Sequence, residues 1–426
     1  MKRLLRIPSR INAGALYFVL FLLFLLTLLL ASYILFIHYK NILFHRQVQI
    51  SQIEQNIESV VELYQIDPSI ASVGSISSFN LFEGEVSPVH VYLKQWGGYK
   101  MLFVKAFYKE LSREKVAMVG YSYGSVTPTA IYIPDNNRFL SICGNTEIRG
   151  SSYVPRLGYK PARIEGTLFS GYFSNDKDLV HYSESELPRP EEELLSSAHD
   201  IIEWRSNGIQ KQRDFLLKTS DVRNSFHDSL VIVNYQDSLG ILSNAKVSGN
   251  VLIRSSENIT LSSSCKLENV IVMAPKITVE SGFEGSVQLF ATDSVIIKPG
   301  VKLHFPSVIA LLSNSVSQSG VSIRSSSVVN GSVWLYAYRG GVENLSLTIE
   351  QGATINGQVY CNGKVEHRGI INGTLMASLL TVKTAYAYYE NFLFNAKINA
   401  EGIPSYFACL PLVLPYSEMQ FIKWVY

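Results

Sequence analysis

The chain has 426 residues, of which 37 are basic and 35 acidic, and its formal net charge is +2. Four of the basic residues (Lys2, Arg3, Arg6 and Arg10) precede a long apolar run, which leaves 33 basic against 35 acidic residues in the rest of the chain. A body so close to neutrality lacks the basic footprint of nucleic-acid-binding proteins. The length suits two or three domains.

The apolar run covers residues 13–37 and contains no charged residue. As a helix it would be roughly 37 Å long, which exceeds the roughly 30 Å hydrocarbon core of a bilayer. A cleavable secretory signal has a shorter apolar core, of about 7 to 15 residues. The run therefore predicts a retained transmembrane helix with the lipid bilayer as its partner. Its membrane-spanning residues include Ala13, Leu16, Phe24, Leu30 and Ile37.

Basic residues flank this run unequally, with four before it and Lys40 and Arg46 just after it. Because cytoplasmic flanks are enriched in Lys and Arg, the bias predicts that residues 1–12 form a cytoplasmic tail. The protein would be a single-pass protein of the inner (cytoplasmic) membrane. Its body would then be periplasmic or otherwise extracytoplasmic.

A second helical pattern follows directly, in residues 38–67, so one long helix is predicted, half in lipid and half against a β domain. Apolar residues recur there at spacings of 3, 4, 3 and 4, which predicts an amphipathic stalk helix. Asp67-Pro68 ends the pattern, because proline disfavours the helical conformation of the residue before it. We expect the stripe to pack against the protein's own β domain, and pairing with a partner helix is the alternative. The stripe consists of Ile50, Ile53, Ile57, Val60 and Tyr64.

Residues 68–139 change to short alternating runs separated by turn residues. Strands are predicted at 89–93, 99–108 and 115–123, with Gly97-Gly98 as a tight hairpin turn and a looser turn at 111–113. This pattern predicts a β-meander domain laid on the stalk helix.

Internal repeats mark residues 223–384. Similar strings begin at Asn258, Lys276 and Ser294, and each holds β-branched runs separated by Ser, Asn, Gly or Pro. Such repetition is typical of a parallel β-solenoid, in which each short strand stacks on its counterpart one coil away. A jelly roll or sandwich is the alternative, because it also has short strands at regular intervals.

Three further segments complete the predicted organisation of a mainly β protein. Residues 140–183 repeat an I-x-G corner and are predicted to form the first coil of the same solenoid. Residues 184–222 are predicted to be a helical insert, with prolines before it and acids in its first turn. Residues 385–426 are rich in Tyr, Phe and Leu and are predicted to cap the solenoid end or to dock back on the head.

Catalytic signals are weak throughout the chain. Ser122 lies at the centre of a G-x-S-x-G string, but the following segment is typical of a strand, whereas a nucleophile elbow needs a helix there. The acids of the repeats are spread about one per coil, and His304 and His367 belong to no metal-binding motif. The four cysteines form no CxxC pair and are interpreted as buried apolar side chains, with one or two disulfides as the alternative. We therefore expect no enzyme activity, no metal site and no cofactor.

A membrane helix that continues into an amphipathic helix beneath a β-rich head resembles minor type IV pilins and the K-type minor pseudopilins. The string Asn12-Ala13-Gly14-Ala15-Leu16 is similar to the small-residue entry of those subunits, although Val19 occupies the place where most of them carry Glu. The NG-containing repeats at Asn330, Asn356 and Asn372 resemble bactofilin-type β-helices.

These resemblances imply a structural or assembly protein of a pilus-like or secretion-like envelope apparatus. Its partners would be other envelope-apparatus proteins or further copies of the chain. The alternative is a membrane-tethered β-helix that binds or cleaves carbohydrate.

Overall fold

A computed structural model describes residues 13–81, 88–122, 129–174, 176–203, 211–214, 221–235, 240–314, 316–338, 342–412 and 418–425. The described chain is mainly β, with 52% of its residues in strands and 20% in helices, which confirms the predicted class. Its first element is one continuous helix, α1 (Ala13–Ile66), of 54 residues. The predicted transmembrane and stalk segments thus form a single helix. Residues 13–66 contain no proline, which would break or kink a helix. A short 3-10 helix (Pro68–Ile70) follows, capped by the Asp67 carboxylate.

The head is an antiparallel sheet whose first four strands are consecutive in the chain and whose fifth comes from the C-terminus. Trp96 pairs with Tyr99, so Gly97 and Gly98 form the predicted hairpin turn. The second turn falls at Lys109 and Glu110, two residues earlier than predicted, because Lys109 adopts a positive φ of 53°. The first four strands are β1 (Ser77–Asn80), β2 (Pro88–Trp96), β3 (Tyr99–Tyr108) and β4 (Leu111–Tyr121).

The next strands belong to the body, which consists of one large, mostly parallel sheet together with a separate three-stranded sheet and a two-stranded antiparallel pair. They are short and separated by turns: β5 (Thr129–Tyr132), β6 (Leu140–Cys143), β7 (Glu147–Arg149), β8 (Ser151–Val154), β9 (Tyr159–Pro161), β10 (Arg163–Ile164), β11 (Thr167–Leu168), β12 (Tyr172–Phe173) and β13 (Val180–Tyr182).

The segment predicted as a helical insert is helical only at α2 (Glu192–Glu203). Its second half instead contributes β14 (Lys211–Asp214) and β15 (Asp221–Asn224), which pair in parallel with later strands of the body. The charged composition of this stretch concealed these strands, because it shows no apolar alternation.

The repeat region forms long strands that bend at corners, together with shorter strands between them. They are β16 (Val231–Asn234), β17 (Ile241–Leu242), β18 (Lys246–Arg254), β19 (Ile259–Leu261), β20 (Lys266–Val279), β21 (Glu284–Ile297), β22 (Lys302–Ser313), β23 (Ser319–Ile323), β24 (Val328–Ala337), β25 (Leu345–Ile349), β26 (Thr354–His367) and β27 (Ile370–Lys383); a 3-10 helix (Val342–Asn344) precedes β25.

All strand pairs described between β14 and β27 are parallel. This pairing disfavours the sandwich alternative, since jelly rolls are built from antiparallel strands. Six strands (β21, β22, β24, β26, β25 and β23) pair in a closed ring, because β21 and β26 each bend and pair with a different neighbour along each half. The observed architecture is thus a closed parallel six-stranded barrel with extra strands, and the solenoid stays a prediction.

The last elements are β28 (Tyr388–Glu390), β29 (Phe392–Phe394), β30 (Lys397–Asn399), a 3-10 helix (Ala400–Gly402) and β31 (Met419–Val425). Strand β31 pairs with β4 and so completes the head sheet. The predicted C-terminal cap therefore divides in two, with β28–β30 on the body and β31 on the head.

Residues 140–183 do not begin the stack of strands, although they come first in sequence. Strand β5 pairs with the last long strand, β27, and β8 then pairs with β5 and β13 with β8. The chain therefore returns along the outside of the body, through residues 184–203, before β14 starts the opposite end. Ten strands lie between β14 and β13 in this stack, so its length is roughly 50 Å at about 4.8 Å per strand-to-strand step.

Inside the body, equivalent positions of successive strands form rows of aliphatic side chains. One row runs through paired residues and ends in a histidine: Leu242, Leu261, Val279, Ile297, Ile323, Ile349 and His367. His367 is 1% exposed, and its Nε2 lies 3.2 Å from the carbonyl oxygen of Lys397. Burial lowers the pKa of His367 to about 4, because the apolar interior disfavours the charged ring.

We expect this histidine to make the free energy of unfolding depend on pH. His367 binds a proton near pH 6.5 in the unfolded chain and near pH 4 in the folded chain. Its contribution to the free energy of unfolding is therefore fully present above pH 6.5 and is lost as the pH falls towards 4. The loss is about 3 kcal/mol across that window. Urea unfolding of the detergent-solubilised protein between pH 4 and 7.5 measures it.

The matched variants are His367→Leu, at the buried site, and His304→Leu, at an exposed histidine. The first should flatten the pH dependence and the second should leave it nearly unchanged. Equal pH profiles for wild type and His367→Leu would contradict the assignment.

Candidate membrane anchor and its coupling to the body

Helix α1 contains the segment that is long and apolar enough to cross a membrane. Its most apolar 18-residue window has a mean hydropathy of 2.8 and is wholly unburied, and α1 is the only helix of this kind in the described chain. Ala13 begins the helix, and the predicted spanning residues Leu16, Phe24, Leu30 and Ile37 are all exposed. Exposed apolar side chains over this length are stable in hydrocarbon and unstable in water.

The exposed part of α1 is longer than the predicted apolar run. Every residue from 14 to 48 is exposed, and burial begins at Gln49 and Ile50. Thirty-five helical residues span roughly 52 Å. A bilayer is about 40–45 Å thick when its headgroup regions are included, so the bare helix matches the full membrane with room for tilt.

The predicted stripe of α1 packs on the head sheet. Ile53, Ile57, Val60 and Tyr64 are at most 2% exposed, and Ile50 is half-buried. The four buried residues share one apolar cluster with alternate residues of the sheet, including Val89, Val91, Leu102, Val104, Ala106, Ala117 and Val119. The head covers this stripe by itself, which agrees with packing on the protein's own domain.

The opposite face of the same sheet packs on the body. The intervening residues of β2, β3 and β4 point there, because side chains alternate along a strand. The body's side of this cluster includes the largest fully buried side chain, Trp334, together with Phe290 and Tyr360. The head's side consists of Trp96, Tyr99, Met101, Phe103, Val116 and Met118. The sheet is thus buried on both faces, which is why β3 reads as a nearly continuous apolar run.

A buried glutamine joins the body to the head's first hairpin. Gln288 is 1% exposed, and its Oε1 accepts a 2.8 Å hydrogen bond from the backbone N–H of Gly98. Its Nε2 donates to the carbonyl of Trp96 at 3.4 Å. Gly97 has a φ of +61°, and a Cβ there would lie 2.0 Å from Gln288 Oε1. The close approach of this side chain therefore requires glycine in the turn.

We expect Gln288→Leu to loosen this junction. The substitution preserves volume but leaves the Gly98 N–H and the Trp96 carbonyl buried without their partner, at a cost of about 2 kcal/mol. The free energy of unfolding in urea measures the loss. Gln351→Leu, at an exposed turn residue, is the control and should change stability by less than about 0.5 kcal/mol. Equal effects of the two variants would show that the Gln288 contacts do not stabilise the junction.

Charged residues reinforce the same junction at its rim. Lys100 Nζ lies 2.7 Å from Glu193 Oε2 of α2 and donates to the Tyr121 hydroxyl at 3.4 Å. The Tyr121 hydroxyl in turn lies 3.2 Å from Glu191 Oε2. Burial, with Glu191 nearby, raises the pKa of Tyr121 above its usual range, so the hydroxyl stays protonated and donates to the carboxylate.

The sequence offered three kinds of candidate catalytic residue: Ser122, the acids of the repeats and the histidines. The backbone N–H of Ser122 donates to the Glu418 carbonyl at 2.9 Å, and the end of its G-x-S-x-G string, at 123–124, lies outside the described residues. The next described element, β5, is a strand. Two acids of the repeats pair across one coil: Glu280 with Lys298 at 2.8 Å, and Glu284 with His304 at 2.9 Å.

The four cysteines lie in the interior of the fold. Cys143, Cys265, Cys361 and Cys409 are free and buried, which agrees with their interpretation as apolar side chains. Burial raises the pKa of Cys361 to about 12, so its thiol stays protonated and unreactive at neutral pH. Within the described ranges, no group of three or more His, Cys, Asp or Glu residues is arranged to hold a metal ion.

A cleft of about 540 Å³ between α2 and the body was not predicted from the sequence. His199 Nε2 lies 3.1 Å from Glu203 Oε2 on its wall. The Tyr338 hydroxyl donates to the Leu195 carbonyl at 3.0 Å, and burial raises the pKa of Tyr338 to about 12. The Tyr338–Leu195 hydrogen bond holds α2 against the body, whereas the His199–Glu203 pair lies within α2.

Comparisons with protein-family models, with curated proteins and with solved structures found no match to this chain.

Proposed function

We propose that the protein is a membrane-anchored structural or assembly component of the cell envelope. In this proposal α1 spans the inner membrane, residues 1–12 are cytoplasmic, and the head and body are extracytoplasmic. The observation that carries it is the continuity of α1, whose exposed apolar part passes without a break into the stripe buried by the head. A helix joined this way transmits its position in the bilayer directly to a folded body.

The orientation rests on charge. Four basic residues precede the apolar run, and α1 carries Lys40 and Arg46 after it. The excess of positive charge on the N-terminal side favours a cytoplasmic N-terminus.

For the body, we favour a β-solenoid over a simple barrel. Strands pair in parallel with a sequence offset that recurs, as from Ile277 to Val295 and from Leu347 to Val365. Stacking continues beyond the six-strand ring through β5, β8 and β13. A stack of coils presents long regular faces, which suits an assembly role in a pilus-like or secretion-like apparatus or in self-association.

The test combines topology with partner identification. Cysteines introduced at Ser9 and at exposed Ser263 would be challenged with a membrane-impermeant maleimide in intact and in permeabilised cells. Labelling of Ser263→Cys in cells whose outer barrier alone is opened, with Ser9→Cys labelled only after the inner membrane is broken, supports the proposal. The reverse pattern would overturn the orientation.

Crosslinked membranes would then be solubilised and the chain purified by affinity. Recovery of envelope-apparatus proteins, or of crosslinked multimers of the chain, supports the assembly role. Recovery of the chain alone, in a form that cleaves glycans, would overturn that role in favour of a carbohydrate-active protein.

A further inference from the structure

The direction of α1 across the head decides which end of the head faces the membrane. Tyr64 lies at the Gly97–Gly98 end of the sheet, close to Lys100 and Tyr121. Gln65 Oε1 accepts a hydrogen bond from Phe421 N, and Phe421 pairs with Val119 at that same end. Helix α1 therefore finishes at the end of the sheet marked by the first hairpin turn.

The beginning of the packed helix lies at the other end of the sheet. Val104 and Ala106 of β3 are fully buried and belong to the same apolar cluster as α1. This cluster continues to Tyr108 and Leu111, which flank the second hairpin turn. Because α1 runs back from Tyr64 over these residues, it enters the head beside the turn at Lys109 and Glu110. The bare helix stops at residue 48, so the membrane surface lies next to this turn.

The second hairpin of the described head carries a net positive charge. We define the basic hairpin as residues 105–115 of β3 and β4, which contain four cations and two acids. One of the acids, Glu114, lies 3.7 Å from His227 Nδ1 of the body and so points away from the turn. The four cations are Lys105, Lys109, Arg113 and Lys115.

Three of these lysines lie over aromatic rings. The ammonium-to-centroid distances are 5.4 Å for Lys105 over Phe107, 5.6 Å for Lys109 over Tyr108, and 5.2 Å for Lys115 over Trp424. Aromatic rings with a polar edge and lysines with a long apolar stem are the side chains that favour the membrane–water interface.

Helix α1 is also basic beyond its apolar run. Lys40 and Arg46 lie on its exposed part beyond the apolar run, and α1 has no acidic residue before Glu54. Among the described residues, the helix beyond the apolar run and the second hairpin of the head are therefore both net basic; Glu83 and Glu85 lie outside the described residues. Each Lys or Arg near an anionic membrane surface is attracted to it within about a Debye length.

We infer that the basic hairpin docks on the anionic phospholipid headgroups of the membrane that α1 crosses, and that this contact sets the tilt of α1. The inference rests on the proposed membrane anchoring. A transmembrane helix alone tilts by about 0 to 40°. Because α1 is rigidly packed on the head, contact between one edge of the head and the surface selects both the tilt and the rotation of the body.

The test uses the full chain reconstituted in vesicles of phosphatidylcholine, with or without about 30% phosphatidylglycerol, a content chosen to give a strongly anionic surface. A fluorophore is attached to Ser112→Cys in the basic hairpin, and in a matched protein to Lys177→Cys, an exposed residue beside β13 at the far end of the body. The native thiols are buried and stay unlabelled. Quenching by headgroup-labelled lipid reports the distance of each label from the surface.

We expect quenching at residue 112 to exceed that at residue 177 several-fold in the anionic vesicles. The double variant Lys105→Glu, Arg113→Glu should weaken docking. We expect the ratio of docked to free heads to fall by at least about fivefold for each basic residue that is replaced. The control pair, Lys266→Glu with Lys302→Glu on the body, should leave it unchanged. High salt should act as the hairpin variants do, because the Debye length is about 3 Å at 1 M.

Resistance to alkaline carbonate separates the two proposals. A protein that resists extraction but shows equal quenching at residues 112 and 177 would overturn the docking and leave the anchor intact. A protein that carbonate extracts would overturn the anchor itself. A hairpin label that stays in water in vesicles but crosslinks to a protein in native membranes would overturn lipid docking in favour of a protein partner.

Discussion

Replacing Phe24 and Leu30 together with arginine is expected to release the protein from the membrane. Both residues lie in the exposed apolar part of α1 and near the centre of the predicted span. An arginine at the centre of a membrane helix costs about 2.5–3.5 kcal/mol by insertion scales, so the pair costs about 5–7 kcal/mol. The fraction of protein in carbonate-washed membranes measures the effect.

The matched control carries arginine at Phe44 and Val48, which are also exposed on α1 but lie at headgroup depth. Arginine reaches water or phosphate at that depth, so this variant should stay in the membrane. A Phe24→Arg, Leu30→Arg protein retained as fully as the control would show that α1 does not hold the chain in the bilayer.

Gly357→Ala is expected to destabilise the body by about 4 kcal/mol. Gly357 has a φ of +148°, a conformation that costs about 1–3 kcal/mol for any residue with a Cβ. The added Cβ would also lie 2.1 Å from the Gly331 carbonyl oxygen and 2.5 Å from the Phe407 ring, and such overpacking costs a further 1–3 kcal/mol or so. Urea unfolding of the purified protein measures the change.

Hydrogen bonds between neighbouring asparagines fix the backbone beside Gly357. Asn356 Nδ2 donates to Asn330 Oδ1 at 2.7 Å, and Asn372 Nδ2 donates to Asn356 Oδ1 at 2.8 Å. This ladder stacks the three NG corners directly on one another and leaves no room for side chains at the glycines.

Gly300→Ala is the control for the glycine prediction. Its φ of +76° is also unfavourable for alanine, but nothing lies within 4 Å of the new Cβ. We expect a loss of about 1 kcal/mol there. Equal losses at Gly300 and Gly357 would mean that the stacked corners tolerate a side chain, which contradicts the packing described for them.

Sequence patterns predicted the elements whose signal is local. The 3-4-3-4 spacing identified the face of α1 that the head buries, and Gly97-Gly98 identified a turn, because both depend on side chains within a few residues. Strands β14 and β15 were missed since their charged sequences show no apolar alternation. The junction through Gln288 had no sequence signal, because its partners are about 190 residues away.

By itself the sequence determined the apolar length of α1, the charge that flanks it and the repetitive strands of the body, since these follow from composition and period. Only the tertiary structure decided which strands meet. Residues 129–183 stack beyond β27 and β31 returns to the head, because parallel strands of similar pattern can pair with many neighbours.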